Sequence, residues 1–413
     1  MARTIAVIGG GASGMMAAIT AAEKGAAVTI YESKERLGKK LLATGNGKCN
    51  YTNLRQTPDC YRGTYPEFAL GILRKFSVEN TIAFFESIGI VPKIKNGYVY
   101  PNSGQAVSVA DALSLKVREL RISVKQETVT SIQNDSSCTA ASYLVTAGSR
   151  QKQYDRVILC CGSRAGLPEG TEFFGYSMAE ALGLALIPQR PALVQLRCAE
   201  KWFKTISGVR TEGSVVLWAD GKQIAKEQGE LLFTEYGLSG IPIFQISRFA
   251  GEALAEKKQV TCTLDLLPEL TNDEVFQQLA YRTEHAGGRS AEEALIGLLH
   301  HKLNYILLKE IGSNPVAPAK QEFADKKKRA AFVTACKNLT CTIKATNPFP
   351  NAQVCAGGIS TKELDENTLE AKRLPGLYVA GELADIDGTC GGYNLQWAWS
   401  SGYAAGLHAA TDA

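Results

Sequence analysis

The chain has 413 residues, 45% of them hydrophobic and 21% charged, with a formal net charge of +4. That length accommodates roughly two to three domains with ample buried core, and so mild a charge does not mark a nucleic-acid-binding protein. No apolar run is long and unbroken enough to span a bilayer, and glycines break the apolar N-terminus in the manner of a strand–turn–helix rather than a secretion signal. Eleven cysteines without a CxxC or a recurring spacing point to reduced thiols in a cytoplasmic protein, with the adjacent Cys160 and Cys161 as core thiols on opposite faces of a strand.

Residues 4–8 and 27–32 read as buried parallel strands. The segment 14–24 between them reads as a crossover helix, kept thin by Ala17, Ala18, Ala21 and Ala22. A helix carries Phe84, Phe85 and Ile88, and strand patterns follow at 122–132, 143–146 and 154–161. From about Pro188 the pattern shifts to short strands at 192–198, 213–218 and 222–226, punctuated by Asp220-Gly221. Thr271 and Glu274 form a capping box that opens a helical stretch running to about Asn338. Within that stretch, Lys326–Arg329 reads as a solvated helix face. Strand and glycine signals return after about residue 340. The expected architecture is α/β, a discontinuous Rossmann-like domain over 1–189 and 341–413, interrupted by a β-rich module at 190–265 and a helical module at 266–340.

Gly9, Gly11 and Gly14 fit G-x-G-x-x-G between the first strand and the first helix. The first glycine allows a tight turn, the second lets backbone approach a pyrophosphate, and the third permits close helix packing. Glu32, ending the next strand, suits a ribose diol and disfavours a 2′-phosphate. Glycines 45 and 47 let backbone lie against a flat ring system. At the other end of the chain, the buried run 377–380 leads into Gly381-Glu382. Asp387-Gly388 and Gly391-Gly392 then turn the chain into a helix from about Asn394, whose small face is Ala398, Gly402 and Gly406. Trp397 and Trp399 read as packing residues. Both ends of the chain serve one ligand in this reading, and a non-covalently bound flavin dinucleotide, FAD, fits them.

The segments IGGGASGMMAA, LLATGNGKCNYTN, GELLFTEYGLSG and PGLYVAGELADIDGTCGGYNLQWAWSSG resemble one family nearly end to end. It is the bacterial NAD(P)/FAD-dependent flavoproteins that include a bile-acid-inducible reductase and an aminoacetone oxidase. The resemblance implies a two-dinucleotide-binding-fold FAD domain interrupted by β-rich and helical modules. It implies FAD contacts from Gly11, Ala12, Ser13, Gly14 and Glu32, and from the backbone of Val129 near adenine. Lys40, Thr44, Gly45, Asn46 and Cys49 would line the ring side, with Gly381, Glu382, Asp387, Asn394, Leu395 and Gln396 closing the site. The sequence departs from the family pattern at Glu235-Tyr236 and Ile241-Pro242, where relatives carry histidine and Gly-Pro-Ala.

Closely spaced cysteines for a disulfide reductase are missing, the first histidine is His285, and no metal-ligand cluster is apparent. A second strand-linked G-x-G-x-x-G for NAD(P)H is also missing. The leading expectation is a flavin-dependent oxidoreductase that moves hydride from NAD(P)H to a conjugated C=C bond of a small organic or steroid substrate. Tyr393 and Tyr236 are the proposed proton donors, with no nucleic-acid or membrane partner. An oxidase acting on an amine or aminoketone with dioxygen is the alternative. A flavin-containing RNA-binding or RNA-modifying protein is the alternative from another class.

Overall fold

The computed structural model describes residues 2–134 and 142–411. The chain divides into two compact units, residues 1–190 with 354–413, and residues 191–353. The first stretch of the chain gives β1 (Thr4–Ile8), α1 (Ala12–Glu23), β2 (Ala27–Tyr31), β3 (Ser123–Lys125) and β4 (Arg156–Leu159). The middle gives β5 (Leu196–Cys198), β6 (Arg210–Ala219), β7 (Lys222–Thr234), β8 (Gly237–Ser239) and β9 (Val260–Asp265). Then come α2 (Asn272–Glu284), α3 (Lys326–Lys337), β10 (Leu339–Thr346), β11 (Leu377–Val379) and α4 (Tyr393–Ala410).

The first unit is built on a five-stranded parallel sheet in the order β11-β4-β1-β2-β3. Strands of such a sheet are covered on both faces, which is why β1 and β2 read as continuous apolar runs rather than alternating ones. The run expected over 122–132 is two strands in different sheets, β3 and Val129–Asn134, because the polar Gln126-Glu127-Thr128 breaks it. Val129–Asn134 pairs antiparallel with Tyr143–Ala147 in a separate three-stranded sheet.

In the second unit, β5-β8-β7-β6-β9-β10 form a closed barrel. Asp220 and Gly221, both at positive φ, make the expected turn between β6 and β7. The barrel closes because β10 pairs with β9 (Cys262↔Cys341) and with β5 (Leu196↔Thr346). The chain therefore returns to the first unit at 354 rather than at 341, since 339–346 is barrel wall. Barrel and helical segments also share one core, with Phe233, Leu279 and Phe332 all buried in it. Thr271 and Glu274 cap α2 reciprocally, Glu274 N–H donating to Thr271 Oγ1 at 3.2 Å and Thr271 N–H to Glu274 Oε2 at 2.7 Å. The basic run opening α3 is only partly solvated. Lys328 pairs with Glu322 at 2.8 Å, and the Arg329 guanidinium lies 5.2 Å from the centre of the Phe276 ring. Among the described residues no helix is long and apolar enough to cross a membrane.

Candidate cofactor site in the first unit

The three motif glycines answer to different constraints. Gly9 has φ +106, and a Cβ there would lie 2.4 Å from the carbonyl oxygen of Cys160. A Cβ at Gly14 would lie 1.8 Å from the Gly9 carbonyl oxygen. Protein contacts alone thus demand glycine at both positions. Gly11 is different: its backbone is ordinary extended chain at φ −78, and a Cβ would meet no atom within 4 Å. Nothing in the protein requires glycine there, and the space in front of it is open. Gly11 is also the cap of α1, with no side-chain cap and no acidic residue in the first turn. Unpaired N–H groups at Ala12, Ser13 and Gly14 and the positive end of the helix dipole suit a pyrophosphate.

Glu32 ties the glycine loop to the end of β2. Its Oε2 accepts the Gly10 N–H at 2.8 Å and its Oε1 the Lys34 N–H at 2.8 Å. A carboxylate has roughly four acceptor directions, so capacity remains for a ribose diol.

The C-terminal element meets the N-terminal one in direct contact. A Cβ at Gly402 would lie 2.4 Å from Ser13 O, and one at Gly406 would lie 2.3 Å from Ala17 O. The small face of α4 therefore lets it press on the thin α1. Gly381, at φ +73, is held from both sides: its N–H donates to Ser401 Oγ at 2.9 Å, and its carbonyl accepts the Trp397 Nε1–H at 3.0 Å. A Cβ at Gly381 would strike Ser13 Oγ at 2.4 Å. Trp397 and Trp399 are packing residues, 1% and 0% exposed, and Trp399 Nε1 donates to Tyr51 O at 2.9 Å.

Lys40 and Glu382, far apart in sequence, form an ion pair at 2.7 Å. Glu382 Oε1 also accepts the Cys355 N–H at 2.8 Å. Cys355 in turn accepts the Tyr176 hydroxyl at 3.7 Å. Neither Tyr176 nor Cys355 stood out in the sequence; the signal available was the buried run ending in Gly357-Gly358, both at positive φ. Burial pushes the Cys355 thiol up to about 12, with the nearby Glu382 carboxylate adding to it. The ring-side segment turns sharply at Gly45 (φ 56) and Asn46 (φ 52), with Thr44 Oγ1 donating to Leu41 O at 2.6 Å.

Three of the expected residues have buried side chains. The Cys49 side chain is fully buried, and burial pushes its thiol up to about 11. Val129 is buried in its strand. The Gln396 amide is consumed by a buried network, accepting from Thr52 Oγ1 at 2.5 Å and donating to Thr81 and Ser400 hydroxyls at 2.9 Å each. Asn394 closes a local ring, its amide bonded to both the N–H and the carbonyl of Gly388 at 2.8 Å. Asp387 is buried, and Leu395 in the first turn of α4 is half-buried. Tyr393 is buried edge-on to Tyr61 with ring centres 6.0 Å apart, and burial followed by the Cys60 contact pushes its phenol up. Tyr236 belongs to the second unit, where its hydroxyl accepts Asn347 Nδ2 at 3.0 Å. Among the described residues no cluster could hold a metal ion, and ten cysteines are free thiols.

A parallel sheet, a glycine turn onto a helix N-terminus and an acidic strand end define a dinucleotide-binding Rossmann protein. The HI0933-like protein Rossmann domain model matches residues 3–408, and the chain belongs to that FAD-dependent family of oxidoreductases. It is 40% identical over 413 residues to the 3-dehydro-bile acid delta(4,6)-reductase of Clostridium scindens, covering 98% of each chain. It is 30% identical over 410 residues to the ribosomal RNA dihydrouridine synthase of Haemophilus influenzae, covering 97% of each. Among solved structures, a 3-ketosteroid-delta4-(5alpha)-dehydrogenase from Rhodococcus jostii superposes with a TM-score of 0.49 at 16% identity, covering 98% of this chain and 96% of that one.

Proposed function

We propose that the protein is an NAD(P)H-linked, FAD-dependent reductase of carbon–carbon double bonds conjugated to a carbonyl. The observation that carries the cofactor half is the open space at Gly11 between two glycines fixed by protein contacts. The reaction half rests on what the two relatives' names have in common. A 3-dehydro-bile acid delta(4,6)-reductase saturates double bonds in line with a 3-oxo group. A dihydrouridine synthase saturates the uracil C5=C6 bond, which is conjugated with the C4 carbonyl.

In this reading the α1 N-terminus and Gly11 hold the pyrophosphate, Glu32 the ribose, and Lys40 with Glu382 the ring side. Bound flavin supplies hydride chemistry at N5. The chain's task is then to orient the acceptor, exclude water and deliver a proton to the carbon next to the one reduced. Tyr393, whose phenol burial keeps protonated, is the donor the first unit offers. The first substrate reading is a small polycyclic enone, after the 40% relative. The second is a uracil of ribosomal RNA, favoured by the 30% relative's name.

Anaerobic mixing with NADH and with NADPH tests the donor, with bleaching near 450 nm as the expected result. A flavin that stays yellow with both overturns it. The bleached enzyme is then offered a steroid dienone or a uridine-containing RNA, and recovery of the yellow form identifies the acceptor class. Rapid bleaching by an aminoketone with peroxide release in air would replace this reading with the oxidase.

A further inference from the structure

Helix α2 has two unlike faces. Val275, Leu279 and Thr283 are buried, while Gln278, Tyr281 and His285 are exposed and Arg282 is half-buried. The latter four stand at i, i+3, i+4 and i+7, so they form one stripe along the helix. Tyr281 is 61% exposed on that stripe. Its ring lies against that of His285, centres 4.1 Å apart and planes 31° apart, and His285 Nδ1 is 2.9 Å from the Tyr281 carbonyl oxygen. The two rings make a braced aromatic platform with one side open to solvent.

The stripe borders a groove of about 500 Å³ that Arg289 and Ile296 also line. Ile296 is 70% exposed opposite the platform's helix. Arg282 is pinned in place, its Nη1 donating to the carbonyls of Ala294 at 3.2 Å and Ile296 at 2.8 Å. Its Nε is buried without a partner. Among the described residues none accepts a hydrogen bond from the Arg289 guanidinium. The one acidic lining residue, Glu293, is engaged as a helix cap, accepting the Ser290 N–H at 2.7 Å.

We propose that this groove docks an unstacked base of single-stranded RNA, the base on the Tyr281–His285 platform and its phosphate on Arg289. The inference rests on the RNA reading of the substrate given above and carries it to residues outside the cofactor cradle. Sequence-tolerant RNA binding combines aromatic stacking surfaces with cations placed for the backbone. An exposed tyrosine and an exposed arginine lining one groove supply both, with the arginine's attraction to the Glu293 carboxylate as the competing interaction. The mild net charge of the whole chain is no obstacle, because the cations concerned are local and few.

The test uses the FAD-loaded, full-length protein and a fluorescently labelled single-stranded RNA oligonucleotide, read by anisotropy. Tyr281→Ala should weaken binding about tenfold. Arg289→Gln should lower the slope of log K against log salt by roughly 0.7, the loss of one single-strand phosphate contact. Both positions are surface-exposed, and an unchanged melting temperature and flavin content would confirm the fold. Wild-type affinity in both variants overturns the proposal, as does a wild type that ignores the oligonucleotide. Full competition by NADPH overturns it too, since the groove would then be a dinucleotide site. A parallel arm offers uridine-containing RNA to the bleached enzyme. If RNA binds at Tyr281 but never restores the yellow form, the substrate reading fails and the groove stands. If it restores colour while Tyr281→Ala binds normally, the reverse holds.

Discussion

Alanine scanning of the first glycine motif should separate a glycine kept for a ligand from glycines kept for the fold. Gly11→Ala places a methyl at an extended backbone position with no atom within 4 Å. Alanine trims unfolded-chain entropy by about 0.4–1 kcal/mol and is a poorer helix cap than glycine by a comparable amount. The terms cancel, so the Gly11→Ala apoprotein should melt within roughly 2 °C of wild type. With FAD the outcome differs. A methyl in the space the pyrophosphate needs costs on the order of 1–3 kcal/mol of overpacking. That corresponds to a Kd raised about 5- to 150-fold. Gly9→Ala is the contrast: it sits at φ +106 and would bring Cβ to 2.4 Å from Cys160 O. Backbone strain and overlap each add roughly 1–3 kcal/mol, so that variant should melt low with or without FAD. Calorimetry on the apoproteins and FAD titration by flavin-fluorescence quenching give the two readouts. Wild-type FAD affinity in Gly11→Ala would refute the ligand account of that glycine, and an early melt of its apoprotein would refute the geometric one.

Other outcomes follow from buried polar groups. Trp397→Phe leaves the Gly381 carbonyl without its donor in a fully buried site, and the urea midpoint should fall by the equivalent of about 1–3 kcal/mol with the m-value unchanged. Gln396→Leu takes the acceptor from the Thr52 hydroxyl and the donor from Thr81 Oγ1 and the Phe76 carbonyl, while Ser400 keeps its own bond to Phe76 O at 2.7 Å. It should cost more than Trp397→Phe, about 3 kcal/mol or above, in the same titration. Native Cys49, its thiol raised by burial to about 11, should resist iodoacetamide at pH 8 while unfolded chain is alkylated completely. Because the folded thiol holds its proton where the unfolded one releases it, native stability should decline as pH rises from about 9 to about 11. The Cys49 share of that decline is on the order of 3 kcal/mol, and Cys49→Ala should remove that share.

Much of the fold was legible because its signals are local. The first motif shows strand, turn, helix and acid within the first 32 residues, and they fold as β1, α1 and β2 within two residues of the expected bounds. The Asp220-Gly221 turn and the Thr271–Glu274 cap are equally local. What was not legible depends on distant pairing. Residues 339–346 alternate like any half-buried strand, and only the partners at 260–265 and 196–198 assign them to the barrel. Gln396 entered the expected site through the family resemblance, and its own side-chain partners could not be read from the sequence. Its amide is claimed by Thr52 and Thr81, over 300 residues earlier in the chain. Tyr176 and Cys355 were missed for the same reason, since their link to Glu382 and Lys40 joins segments with no sequence proximity.

Both substrate readings ask the same of the cofactor cradle, hydride for a double bond conjugated to a carbonyl, so cradle residues cannot separate them. Discrimination has to come from side chains free to vary without cost to the fold. Glu235 and Ile241, two of the departures from the family pattern, stand at such places. Thr234 pairs with Gly237, which makes Glu235-Tyr236 a two-residue hairpin turn between β7 and β8 with Glu235 exposed. Ile241, 61% exposed, opens the helix Ile241–Ala255 directly after Gly240. Gly240 itself is fixed, at φ +105 with a Cβ that would lie 2.4 Å from Glu230 O. The side chains of Glu235 and Ile241 are therefore released from packing, whereas Tyr236, bonded to Asn347, and the buried Pro242 are not.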